Sequence, residues 1–277
     1  MKKLIIVFFI TFTMIFLFFV FQMESNKEEP SETIASGITM QKSQAKKNKI
    51  YGVWLTYSEI GGLVKGKTEE EYRASLEIVF ENLSGNKINT VFYQCRAFCD
   101  SLYDSDIFPA SKYITASSSV PDFDPFEIFL EKAEDYEISV HCWINPYRIS
   151  YDNGFGNLPK GSPARELYKK DKAALIICDT GIFLNPAHSE GRRLVLSGIR
   201  EILGKYKVSG IHFDDYFYPT TNIAFDSVSY ENYLKNSKKP ISLDNFRRSG
   251  VNAMISATKQ AINACKKDIV FSVSPAA

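Results

Sequence analysis

The sequence predicts an α/β barrel of the (β/α)8 TIM type, and three observations predict it. Strand-like and helix-like segments alternate from Ile50 to the last residue. The strand segments are short runs rich in Val, Ile, Phe and Trp, the composition of strands buried on both faces. Connections that follow strands are long and polar, at 97–122, 147–187 and 218–243, whereas those returning from helix to strand are short, at 84–87 and 205–207. Alternation gives a parallel sheet. Long connections at the strand C-termini put the variable surface on the rim that carries the site in such barrels.

The elements can be justified in order. Lys2 and Lys3 precede an apolar run from Leu4 to Phe21 whose polar residues are Thr11 and Thr13. Its 18 residues lie between a signal-peptide core and a membrane span. Residues 1–23 are therefore expected to be a signal anchor or a signal peptide, and the lysines ahead of the run place the rest outside the membrane. Residues 24–49 are polar and aperiodic and read as a flexible linker. Contact with a membrane is expected only through the N-terminal segment.

Residues 50–277 read as a partial barrel. Its strands are IYGVWLTY (50–57), INTVFYQCR (88–96), ISVHCWINP (138–146), VSGIHFDDYF (208–217) and IVFSVSP (269–275). They should be parallel neighbours in chain order. A helix from Thr68 to Leu83 opens with a capping box, Thr68 with Glu71. Asp124 and Pro125 open a second, Glu190 to Tyr206 form a third, and Asp244 is expected to cap a fourth. Five strands of eight are present, so the sequence reads as a barrel truncated after its fifth strand.

Composition excludes several functions. A net charge of +1 gives no field for nucleic acid. Five cysteines without a CxxC pair argue against a zinc ribbon and read as buried small apolar residues. No metal site and no cofactor is expected.

Chemistry-bearing residues gather at strand C-termini. The second strand ends Gln94-Cys95-Arg96, followed by Asp100 and Tyr103. The third ends His141-Cys142-Trp143-Ile144-Asn145-Pro146-Tyr147-Arg148, and the fourth His212-Phe213-Asp214-Asp215-Tyr216-Phe217. Alternation places His212, Asp214 and Tyr216 on one face and Phe213, Asp215 and Phe217 on the other. The phenylalanine face should meet helices, and the Asp214 face should point into the barrel mouth. Matching inward residues are His141, Trp143 and Asn145, and Gln94 and Arg96. A carboxylate so placed can act as acid, base or nucleophile at an anomeric carbon. Asp214 is the principal candidate. Arg96 would keep it charged, Asp215 would set the following loop, and Glu59 is the in-chain candidate for a second carboxylate. Asn145 and Tyr147 would hydrogen-bond sugar hydroxyls, and Trp54 and Trp143 would stack on sugar rings.

The blocks GVWLTY, QCRAFCDSLY, DFDPFEIFLEKA, HCWINPYRIS, FLNP and GIHFDDYFYP resemble the family 10-like glycosyl hydrolases of bacteria, exported proteins linked to peptidoglycan glycan strands. The resemblance runs from about Tyr51 to the end. It implies a TIM-type fold, hydrolysis of a polysaccharide, and a substrate cleft holding Arg96, Asp100, Asn145, Tyr147, His212, Asp214 and Asp215. Ala97-Phe98-Cys99 departs from the family, which tends to have smaller residues and proline there. The alternatives are a non-catalytic or inactive glycan-binding protein and a metal-dependent polysaccharide deacetylase using His141, His212, Asp214 and Asp215.

Overall fold

The computed structural model describes residues 49–116, 119–214, 217–265 and 268–274. The expected signal segment and nearly all of the linker lie outside the described residues. No helix among the described residues is long and apolar enough to cross a membrane.

The elements begin with β1 (Gly52–Leu55), α1 (Tyr57–Val64), α2 (Glu69–Gly85), β2 (Thr90–Arg96), α3 (Pro125–Asp135) and β3 (Ser139–Ile144). Next come β4 (Arg148–Ser150), α4 (Pro163–Lys170), β5 (Leu175–Cys178), β6 (Gly181–Leu184) and α5 (Ser189–Lys205). The last are β7 (Gly210–Phe213), α6 (Ser227–Asn236), α7 (Leu243–Ala264) and β8 (Val270–Val273). The main sheet has the order β1-β2-β3-β7-β8 and every pairing in it is parallel. This is the expected chain-order arc of an α/β barrel.

Helix starts follow local chemistry. Thr68 and Glu71 form the expected capping box, and the Asp124 side chain accepts from the Phe126 N–H. The last helix begins earlier than expected. Ser242 caps it by accepting from the Asn245 N–H, and Asp244 lies in the first turn. A shorter helix, α1, follows β1 directly, opened by a second capping box of Thr56 and Glu59. The polar stretch 147–187 also holds more structure than its composition suggests: α4 and an antiparallel sheet of order β4-β6-β5. All five cysteines are free, and Cys95, Cys99 and Cys142 are buried.

The core lies between the sheet and its helices. Tyr72, Leu76 and Phe80 of α2, Phe126 and Phe129 of α3, and Val195, Ile199 and Ile202 of α5 are buried against it. Phe213 is fully buried and meets Phe217 and Phe271 edge-on, so the phenylalanine face of β7 does meet the outer core. The opposite face carries Trp54, Phe92, His141 and Gly210 in register across four strands. A second register row follows, Gln94, Trp143, His212 and Ser272. Such rows are how a barrel interior fills.

Gly210 is what leaves room for the first row. A Cβ there would lie 2.5 Å from the Nδ1 atom of His141. We expect Gly210→Ala to destabilise the protein by about 1–3 kcal/mol, as overpacking does. Gly62→Ala in α1, where the added carbon meets nothing within 4 Å, should instead be neutral or slightly stabilising. Denaturant unfolding of the two variants checks both.

Candidate active site

Asp214 follows β7 directly and is 7% exposed. The indole Nε1 of Trp143, on the neighbouring strand, donates to its Oδ2 at 2.9 Å. An indole N–H can only donate, so Trp143 fixes the direction of this carboxylate. Trp143→Phe removes one hydrogen bond to a charged group, worth about 1.5–3 kcal/mol. The variant should lose about that much stability, read by denaturant unfolding.

Behind Asp214 the inner rows are closed. The Trp54 ring stacks on Phe92 at 4.8 Å, and Phe92 meets His141 at 5.2 Å and His212 at 4.8 Å. His212 is buried, and its Nδ1 lies 2.8 Å from the Ser272 hydroxyl of β8. Burial, with a smaller contribution from His141, pushes the His212 pKa down to about 4. His212 is thus a neutral tie between the ends of β7 and β8.

On the rim an aromatic group surrounds the approach. Tyr57 lies 4.4 Å from Tyr113 and 5.3 Å from Phe98, and Tyr151 lies 5.1 Å from Phe98. The Arg148 guanidinium sits over Tyr151 at 4.5 Å and over Phe98 at 5.3 Å, and its Nε donates to the Ala97 carbonyl. Burial raises the Tyr151 phenol pKa, Arg148 opposes the rise, and Tyr57 and Asp214 add to it. A hydrogen-bonded chain anchors this rim to the sheet: the Tyr57 N–H donates to Gln94 Oε1 at 3.0 Å, and Gln94 Nε2 to Asn145 Oδ1 at 2.7 Å. Tyr57, Phe98, Tyr113, Arg148 and Tyr151 were not singled out from the sequence. Tyr151 and Arg148 follow the third strand within a few residues, and that proximity was the available signal.

Several expected positions are corrected. Arg96 does not face Asp214. The β2–β3 register pairs Gln94 with Trp143 but Arg96 with Ile144, so a bulge at Cys95 turns Arg96 to the helix side. There it is 1% exposed, with its guanidinium 3.8 Å from the Phe108 ring centroid. A Cβ on Gly198 of α5 would come within 2.8 Å of its Nη1. Tyr103 is also buried, donating to Glu201 of α5 at 3.0 Å. Glu201 accepts from Ser105 and the Asp106 N–H too, pinning the loop after β2. Tyr147 is 1% exposed with its hydroxyl buried, so it packs in the core and does not reach a sugar. Glu59 accepts from the Thr56 N–H and hydroxyl at 2.9 and 2.7 Å, so its carboxylate caps α1. Asn145 is buried, its Oδ1 accepts from Gln94, and its Nδ2 has no hydrogen-bond partner among the described residues. Trp54 is half exposed on the inner face of β1, where it packs on Phe92 and His212. Asp215 and Tyr216 lie outside the described residues.

Asp100 does lie at the rim. It lines a cavity of about 320 Å³ between the loops after β2 and β3. Burial pushes its carboxyl pKa up to about 6, against a Ser111 hydrogen bond and the Arg96 and Lys112 charges. A carboxyl whose folded pKa is raised stabilises the fold at low pH, and that contribution is lost as pH rises from about 4, the unfolded value, through about 6. We expect Asp100→Asn to gain stability relative to the parent across this window, read as the difference in unfolding midpoint at several pH values. Among the described residues no three His, Cys, Asp or Glu side chains group as a metal site would require.

Comparison with known proteins identifies the family and the fold. The family model described as "Glycosyl hydrolase-like 10" matches residues 49–277. The chain is 28% identical over 216 residues to "Glycosyl hydrolase YngK" of Bacillus subtilis (strain 168), covering 76% of this chain and 41% of that protein. It is 29% identical over 195 residues to "Glycosyl hydrolase DigH" of Escherichia coli (strain K12), covering 68% and 44%. The chain thus spans less than half the length of these relatives. Among solved structures, the fold is similar to alpha-L-fucosidase isoenzyme 2 from Paenibacillus thiaminolyticus, with a TM-score of 0.53 at 12% identity over 79% of this chain and 32% of that one. It is also similar to the PgaB (BpsB) glycoside hydrolase domain from Bordetella bronchiseptica, with a TM-score of 0.51 at 13% identity over 81% and 64%. This chain belongs to the glycosyl hydrolase-like 10 family.

Proposed function

We propose that this protein is an exported glycoside hydrolase that cleaves cell-wall glycan of the peptidoglycan type, with Asp214 as its principal carboxylate. The observation that carries the reading is the placement of Asp214. It follows an inner strand of the parallel sheet, and its orientation is set by the Trp143 indole. Ring faces suit the apolar faces of pyranoses, and a carboxylate at a barrel mouth suits an anomeric centre. The relatives named glycosyl hydrolases support the same chemistry.

In the reaction the glycosidic C–O bond breaks, water supplies OH to the anomeric carbon, and a proton goes to the leaving oxygen. Asp214 acts as nucleophile or base, and a second carboxyl group gives the proton. The two lie roughly 5–5.5 Å apart for retention or about 6.5–9.5 Å for inversion. Export rests on Lys2, Lys3 and the apolar run from Leu4 to Phe21. The test is incubation of the purified protein with peptide-free glycan strands. New reducing ends should appear, and strands left unshortened would reject the reading.

A further inference from the structure

The base of the sheet carries a groove that the site at Asp214 does not use. It lies at the N-terminal ends of β3, β7 and β8, beside the C-terminal ends of α3 and α5, whereas Asp214 follows the opposite end of β7. Its volume is about 860 Å³, and Leu130, Ile138, Tyr206, Val208 and Ile269 make its floor apolar. Its walls are acidic. Glu131 and Glu134 are neutralised by Arg73 and Lys207, and Lys205 is taken up by Asp104 and Asp106. Glu127, Glu137 and Asp268 line the same groove, are exposed, and make no ion pair among the described residues. Unmatched carboxylates around an apolar floor call for an occupant that is cationic and partly apolar.

The same chain carries such a segment. Residues 234–241 lead from the end of α6 toward α7. Leu234 and Ile241 are each 40% exposed. Lys235, Lys238 and Lys239 lie between them, are exposed, and make no ion pair among the described residues. Glu231 and Asp244 flank the segment, so the three lysines form an unbroken positive stretch. Its shape is held in advance. The Tyr230 hydroxyl donates to the Ile241 carbonyl at 2.8 Å, and the Ile241 N–H donates to the Tyr233 hydroxyl at 3.3 Å. The Tyr233 ring packs on Phe246 of α7 with centroids 5.0 Å apart. A loop ordered before binding loses little freedom when it docks. Because α7 joins the parallel neighbours β7 and β8, it runs from the rim back to the base. The basic loop ahead of it is therefore at the rim end and the acidic groove at the base, so the loop of one copy meets the groove of another rather than its own.

We propose that the groove docks residues 234–241 of a second copy of this chain, rim to base. Leu234 and Ile241 settle on the apolar floor, and the three lysines face Glu127, Glu137 and Asp268. The two surfaces differ, so the contact is head-to-tail, and a pair of copies leaves one loop and one groove free for further copies. One loop in one groove falls below the roughly 1,200 Å² of stable complexes, so the contact is transient. Its exposed charges make it sensitive to salt. It is independent of the chemistry at Asp214.

The test uses the full chain. Equal amounts of unlabelled and heavy-nitrogen-labelled protein are mixed and treated with a carbodiimide, which joins a carboxylate to an amine in contact with it. Peptide mass spectrometry then separates links between copies, which pair a light peptide with a heavy one, from links within a copy. Mixed-isotope links from Glu127, Glu137 or Asp268 to Lys235, Lys238 or Lys239 are expected, and they should vanish in about 1 M salt, where the screening length is about 3 Å. Lys238→Glu with Lys239→Glu, and separately Glu127→Lys with Glu137→Lys, should each lower their yield about tenfold, the loss expected from two exposed ion pairs. All four side chains are exposed, so the fold is not at stake. Mixing the two reversed variants should restore links between copies, because an acidic loop then faces a basic groove. No links, links within one copy only, or links that join the groove to other lysines overturn the proposal. So do reversed variants that link as the parent does, or a mixture of them that restores nothing.

Discussion

Asp214→Asn is expected to lower turnover of glycan strands by about a hundred- to ten-thousandfold, the loss that follows removal of a catalytic acid or base, and by more if Asp214 is the nucleophile. The fold should survive. Asn has nearly the same shape, and its amide oxygen can accept the Trp143 indole hydrogen bond that Oδ2 accepts now. Glycan binding should therefore remain near normal while kcat collapses. Wild-type turnover by the variant would remove Asp214 from the mechanism and make Asp215 the candidate.

The largest effect on stability is expected in the connection after β7. Asp226 has a fully buried carboxylate, and Arg247 of α7 grips it with Nε at 3.1 Å from each oxygen and Nη2 at 2.6 Å. The same guanidinium donates to the Thr221 and Asn222 carbonyls, tying the chain after β7 to α7. Removing one partner of a buried pair leaves a charge in low dielectric, which costs about 3–5 kcal/mol. Arg247→Ala should lose that much in denaturant unfolding. Arg73 pairs with two carboxylates, Glu69 and Glu131, but these are 50% and 54% exposed. Arg73→Ala should therefore change stability by no more than about 1 kcal/mol. Similar losses in the two variants would mean that burial does not decide the matter here.

The parallel arc was legible because its strands are apolar on both faces and its helices announce themselves by capping. The Thr68 and Glu71 pair shows this, and Thr56 and Glu59 follow the same spacing, so α1 was legible by the same rule. Read that way, Glu59 is a capping residue before it is a catalytic one. The hairpin of β5 and β6 also left a signal. Two apolar runs, LIIC and GIFL, flank Asp179 and Thr180, and Gly181 adopts a φ of 129°. A Cβ there would fall 2.1 Å from the Ser150 carbonyl oxygen of β4.

The site was legible in part. Alternation placed Asp214 and Trp143 together, and the structure joins them directly. Alternation failed at Arg96 because one extra residue in β2 reverses the side-chain sequence, and a bulge leaves no period of its own to detect. Tyr103 and Tyr147 were placed at the rim by sequence proximity to strand ends. Proximity does not reveal that Glu201, almost a hundred positions later, draws Tyr103 inward. The rim aromatics contributed by separate loops come together only through tertiary structure, so single-sequence patterns could not assemble them.

On the proposed reading, this protein hydrolyses a glycosidic bond in cell-wall glycan using Asp214. The most direct measurement is mass spectrometry of peptide-free glycan strands after incubation with the protein in heavy-oxygen water. Shorter strands carrying one heavy oxygen at each new reducing end, formed by the wild-type protein and not by Asp214→Asn, are the predicted result. Strands of unchanged length, whether intact or only deacetylated, would contradict the account.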